Sequence, residues 1–169
     1  NLSNVAGGLP SSGALRAYGR RPEGFAHTGA MAFDPEYRLV VGPPKAADYV
    51  RLRAESGLSP KTLEQAERAI AGTWFFLHAE TGAGETVAMG RVIGDGGWYF
   101  LIADMATLPA HQGRGLGSAI LDALLREIRT NALPGAYVTL TADPPGRALY
   151  ESRGFEDVAP GRTGMHLLG

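Results

Sequence analysis

The chain has 169 residues, enough for one domain with a sizeable core and little room for two. It contains no cysteine, which excludes disulfides, thiolate nucleophiles and cysteine-ligated metal centres. A net charge of −1 leaves no general basic footprint for nucleic acid, and the longest clean apolar run, Trp98 to Ala103, is far shorter than the roughly 20 residues of a membrane span. The expectation is a soluble, cytoplasmic protein. The 24 glycines and 11 prolines stand out, yet they stay below the level of roughly 25–30% that marks low-complexity chains. The excess is therefore expected in turns, special backbone sites or a tail.

Residues 1–30 hold six glycines and show neither a helical nor a strand period. They read as a Gly/Ala/Arg-rich N-terminal extension or a non-native remnant, with residues 31–169 as the folded domain and Met31 as a candidate natural start. A homodimer is carried as an expectation.

From Tyr37 the pattern becomes regular. Tyr37–Val41 predicts a strand closed by Gly42-Pro43-Pro44, and Ala46–Glu55 predicts a helix. A second helix is expected to start at Ser59-Pro60 and end at Gly72, with Leu63, Ala66 and Ile70 as its apolar stripe. Strands follow over 74–78, 86–93 and 98–107, joined by Gly-rich turns, which makes an antiparallel meander. A long helix over about 114–130 carries Leu116, Ile120, Leu124 and Ile128 every four residues. Because a strand over 137–141 follows this crossover, it is expected to run parallel to its predecessor. A short helix to Arg153, capped by Gly154, and two strands at 155–158 and 164–168 complete an α/β reading.

The stretch with most chemical content is Gln112-Gly-Arg-Gly115-Leu-Gly117-Ser118, at the join of a strand and the long helix. Glycines there let backbone N–H groups approach a ligand, and a helix start offers unpaired N–H groups and partial positive charge. That combination suits a pyrophosphate. No Gly-Lys-Ser/Thr follows, so it is not a Walker loop, and both registers of Gly-x-Gly-x-x-Gly fail at Ser118 and Ile120.

The run Gln112-x-x-Gly115-x-Gly117, followed by a strand and then Ala148-Leu149-Tyr150 and Gly154-Phe155, resembles the acetyl-CoA-binding pattern of the GNAT superfamily of acyl-CoA N-acyltransferases. The resemblance covers about residues 37–168. It implies an α/β (α+β) fold with a mixed, mostly antiparallel sheet of six to seven strands, a central βαβ unit and helices on both faces. It also implies an acetyl-CoA-dependent N-acetyltransferase with no metal, acting on the primary amine of a small molecule. The alternatives are a CoA-binding regulatory module without turnover and an acetyltransferase of peptide or protein amines.

The family's positions map onto this sequence as follows. Tyr150 matches the acid that protonates the departing thiolate. Met105, Ala106 and Thr107 match the strand that pairs with pantetheine and offers an N–H to the carbonyl oxygen. Gln112, Gly113, Arg114, Gly115, Gly117 and Ser118 match the pyrophosphate turn. Asp104 stands beside the expected reaction centre and is a candidate base, an ammonium ligand or a strand-end cap; His78 is a weaker candidate base. Arg51, Arg53, Leu58, Trp74, Trp98 and Tyr99 are available to choose the acceptor. With no cysteine in the chain, acyl transfer must go directly to the amine.

Overall fold

The structure, a computed structural model, describes residues 33–167. The expectations for residues 1–30 lie outside the described residues. A five-stranded sheet in the order β1-β2-β3-β4-β5 forms the centre. Its strands are β1 (Tyr37–Val41), β2 (Phe75–Thr81), β3 (Thr86–Gly94), β4 (Tyr99–Thr107) and β5 (Tyr137–Thr139). The first four pair antiparallel, and β5 pairs with β4 in parallel, as a strand reached through a helical crossover must.

Four α-helices lie among the described residues: α1 (Ala46–Glu55), α2 (Leu63–Ala71), α3 (Leu116–Asn131) and α4 (Arg147–Glu151). α2 begins later than Ser59-Pro60 suggests, because a better start lies downstream. Thr62 accepts from the Gln65 N–H, and the Gln65 side chain accepts from the Thr62 N–H. α3 starts at Leu116 rather than near Arg114, because Gly113 and Gly115 take left-handed φ of +74° and +80°.

Successive residues of β3 face opposite layers. A Cβ at Gly90 would meet Ile120 and Leu124 of α3, while the Arg91 side chain bonds Ala69 of α2. Helices therefore lie on both faces, with Phe76, Leu77, Met89, Phe100, Ile120 and Leu124 fully buried between the layers.

Among the described residues the sheet has five strands, not six or seven. Residues 155–158 carry no strand, and neither do 164–167, the described part of the second expected strand. Strand-like composition alone does not make a ladder; it needs an edge to pair with. Here β5 offers only three paired residues, and Met165 and Leu167 remain about 95% exposed.

Candidate active site

The parallel register between β4 and β5 ends at Leu101 and Thr139. Beyond that point β4 continues to Thr107 along β3 alone, so its other edge opens away from β5. The same segment contains a bulge. Ala103 pairs with Arg91 and Ala106 with Met89, so Asp104 and Met105 together face the single residue Gly90. Asp104 sits in the bulge at φ +54°, a left-handed conformation that no other non-glycine among the described residues adopts. Gly90 lies opposite it, and a Cβ there would lie 2.5 Å from the Met105 sulfur and 2.7 Å from Ile120, so any larger residue would have to displace those side chains.

The strand leads into the glycine turn. A single 3₁₀ turn at Pro109–His111 intervenes, and the Gln112 side-chain amide donates to the Thr107 carbonyl at 3.1 Å, tying the turn to the strand end. Gly115 precedes α3 in a left-handed conformation, and no side chain caps the helix. The first intrahelical bond near this end runs from the Ala119 N–H to Gly115. The N–H groups of Leu116, Gly117 and Ser118 therefore have no acceptor within the helix. They stand at the start of a 16-residue helix, where unpaired N–H groups and partial positive charge suit an anion. Arg114 is drawn aside: its guanidinium lies 3.2 Å from Asp34 and 3.7 Å from Glu36, above the Tyr37 ring, and remains 42% exposed. A hollow of about 470 Å³ adjoins the turn through His111 and Arg114, but none of its lining residues belongs to β4.

Tyr150 sits on α4. That helix is fixed to α3 by the Arg153 guanidinium, which donates to both oxygens of Asp122 at 3.0 and 3.1 Å. Leu149 adds a contact near Gly117. Gly154 turns the chain at φ +85°, and Phe155 donates back to the Tyr150 carbonyl, a left-handed helix ending. Tyr150 is half-buried, with its ring 6.1 Å from that of Phe155. Burial, and then the negative charge of Asp143, push its phenol above 10, which keeps the proton in place at neutral pH.

The Asp104 carboxylate is turned to the α1–α2 face. Its Oδ1 accepts from Arg53 of α1. Its Oδ2 accepts from the Tyr49 hydroxyl and from Nε of Arg91, both at 2.5 Å. The cluster is nearly closed to solvent: the side chains of Arg53, Asp104 and Arg91 are about 9–11% exposed. Burial, and then the hydrogen bond to Asp104, raise the Tyr49 phenol above its usual value. Sequence reasoning did not mark Tyr49 or Arg91. The available signals were a lone arginine inside the apolar run of β3, and a tyrosine four residues before Arg53 on the same helical face.

The remaining candidates disperse. His78 is buried on β2, with Nδ1 on the Gly42 carbonyl and Nε2 on Glu80. Arg51 bonds the Thr86 carbonyl, Leu58 packs on the core, and Trp74 meets Phe100 edge-on. Trp98 and Tyr99 are exposed at the start of β4, at the opposite end of the strand from the glycine turn. Among the described residues no group of three or more His, Asp or Glu is placed to hold a metal. No helix there is long and apolar enough to cross a membrane.

Comparison with known proteins bears on the family and the fold. The family model for the acetyltransferase (GNAT) domain matches residues 72–157. A solved structure from meticillin-resistant Staphylococcus aureus, described as a probable acetyltransferase of unknown function, is 35% identical. The match covers 79% of this chain and 99% of that one, with a TM-score of 0.74. A GNAT-family acetyltransferase of Streptococcus pneumoniae shares the fold at 24% identity and a TM-score of 0.63, over 79% of this chain and 98% of its own. Serotonin N-acetyltransferase 2, chloroplastic, of Oryza sativa subsp. japonica is 30% identical over 105 residues. That match takes in 60% of this chain and 52% of the rice protein, so the chain spans about half the length of that relative.

Proposed function

Because this chain belongs to the GNAT family of acetyltransferases, we propose that it transfers the acetyl group of acetyl-CoA directly to the primary amine of a small molecule. The observation that carries the reading is the uncapped N-terminus of α3 beside an open β4 edge. The helix-start N–H groups and the turn from Gln112 to Ser118 suit the pyrophosphate. The backbone of Met105, Ala106 and Thr107 suits the pantetheine arm, which would run along β4 like an added strand. Arg114, engaged with two carboxylates, contributes charge near the turn rather than a dedicated phosphate contact.

In the proposed reaction the amine nitrogen attacks the thioester carbonyl, an N–C bond forms and the C–S bond breaks. A lysine-like amine is only about 0.04% neutral at pH 7, so desolvation in the site is part of the rate. Negative charge on the carbonyl oxygen meets a backbone N–H near Met105. The departing thiolate takes the Tyr150 proton, and the phenolate recovers one from water. The sequence nominates Asp104 for the ammonium proton. Its oxygens already accept from three donors, which favours proton loss to water and a holding role for the carboxylate.

The test is acetyl-CoA-dependent thiol release across a panel of small amines, amino sugars and peptide N-termini. Release with small amines, and a product one acetyl group heavier, supports the reading. Release only with peptides assigns the protein-amine alternative. Binding of acetyl-CoA without release assigns the regulatory module.

A further inference from the structure

We propose that Tyr49, Arg53 and Arg91 are positioning residues that act through Asp104 to lock the β4 bulge, and with it the N–H group that faces the reacting carbonyl. The inference rests on the acetyltransferase reading for its catalytic consequence, and on geometry alone for the lock itself.

The argument starts from the backbone. A non-glycine residue in a left-handed conformation is disfavoured, although aspartate tolerates it better than most. Asp104 is held there by three donors from two elements, Tyr49 and Arg53 on α1 and Arg91 on β3. Each arginine is itself anchored. Arg53 donates through Nε to the Ser59 carbonyl at 3.0 Å and through Nη2 to the Ser59 hydroxyl at 3.0 Å. Arg91 donates through Nη1 to the Ala69 carbonyl and the Thr73 hydroxyl, both at 3.0 Å. The bulge is thus tied to the first helix, to the turn that follows it and to the end of the second. From the other face, the Met105 and Ile120 side chains fill the space that a Cβ on Gly90 would take, so the bulge is packed on that side as well. A hydrogen-bond donor aimed at a transition state loses its value when displaced by an ångström. The clamp fixes that aim, and a carboxylate committed to three donors is suited to holding rather than to proton exchange.

Steady-state kinetics on the full chain test this, with hydrogen exchange read by mass spectrometry. Tyr49→Phe removes only a hydroxyl, and Arg91→Lys keeps the charge. Each is expected to lower kcat by about tenfold to a hundredfold, with KM for acetyl-CoA within about twofold. Amide exchange is expected to quicken in residues 102–107 and to stay unchanged in α3. Asp104→Gly, which takes a left-handed φ freely, is expected to retain more kcat than Asp104→Ala. The acidic limb of the kcat/KM profile is expected at the same pH in Asp104→Asn as in the wild type.

Unchanged kcat in Tyr49→Phe and Arg91→Lys would overturn the proposal. So would equal losses in the glycine and alanine variants, exchange that quickens evenly over the chain, or disappearance of the acidic limb in Asp104→Asn. If the wild type acetylates no amine, the acetyltransferase reading fails instead; the exchange comparison needs no substrate and still decides whether the clamp holds the bulge.

Discussion

Tyr150 and Asp104, the two side chains weighed for proton transfer in the proposed reaction, have their polar atoms in opposite circumstances. The Tyr150 hydroxyl makes none of the hydrogen bonds found among the described residues, while both oxygens of Asp104 are engaged. A group that must give up a proton and recover it needs that freedom, and a group that must hold a backbone does not. Tyr150→Phe is therefore expected to lower kcat by about a hundredfold while KM for acetyl-CoA stays within about twofold, as steady-state assays would show. Unchanged kcat would remove Tyr150 as the acid. Because burial and Asp143 raise its phenol above 10, the alkaline fall in kcat caused by loss of its proton should come above the pH of a free phenol. Tyr150 was legible in the sequence because its neighbours in the chain, Leu149 and Gly154-Phe155, are also its neighbours in space. The clamp was not, because Tyr49, Arg53 and Arg91 meet Asp104 across 55, 51 and 13 residues.

Among the elements, α3 and its preceding turn follow closely from the sequence. The apolar stripe at every fourth residue selects the buried face, and glycines with positive φ decide where the helix starts. Those signals are local. The two closing strands depend on a pairing edge outside themselves, and the residues expected to form them run without a ladder. The bulge is set between elements: Gly90 matters because α3 presses Ile120 and Leu124 against it. Gly90→Ala is expected to cost about 1–3 kcal/mol through overpacking. Calorimetry should then show a Tm lower by several degrees, and a normal Tm would mean that the layers have slack at this point. At α2, Thr62→Ala removes the capping box and is expected to cost about 1 kcal/mol, read as a smaller fall in Tm.

At the scale of the molecule, the proposed roles fall on opposite sides of the sheet. The α3–α4 face presents the glycine turn and Tyr150, and the α1–α2 face holds the buried clamp. Burial raises the phenols of both Tyr49 and Tyr150. Each then binds its proton more tightly folded than unfolded, so its contribution to stability is complete below about pH 10 and is lost as pH rises through the folded value. Urea midpoints should fall as the pH is raised above about 10, and the fall should shrink in Tyr49→Phe. The overall plan was legible because motif order, meander and crossover each leave a mark along the chain, whereas the choice of acceptor is spread over side chains from separate elements. The most direct test of the central claim, that the turn and the open strand hold acetyl-CoA, is a thermal titration of the wild type with that ligand. At about 100 times Kd the account predicts roughly 2.7 kcal/mol of added stability, a Tm rise of roughly 5–10 °C. No rise at millimolar acetyl-CoA would contradict it.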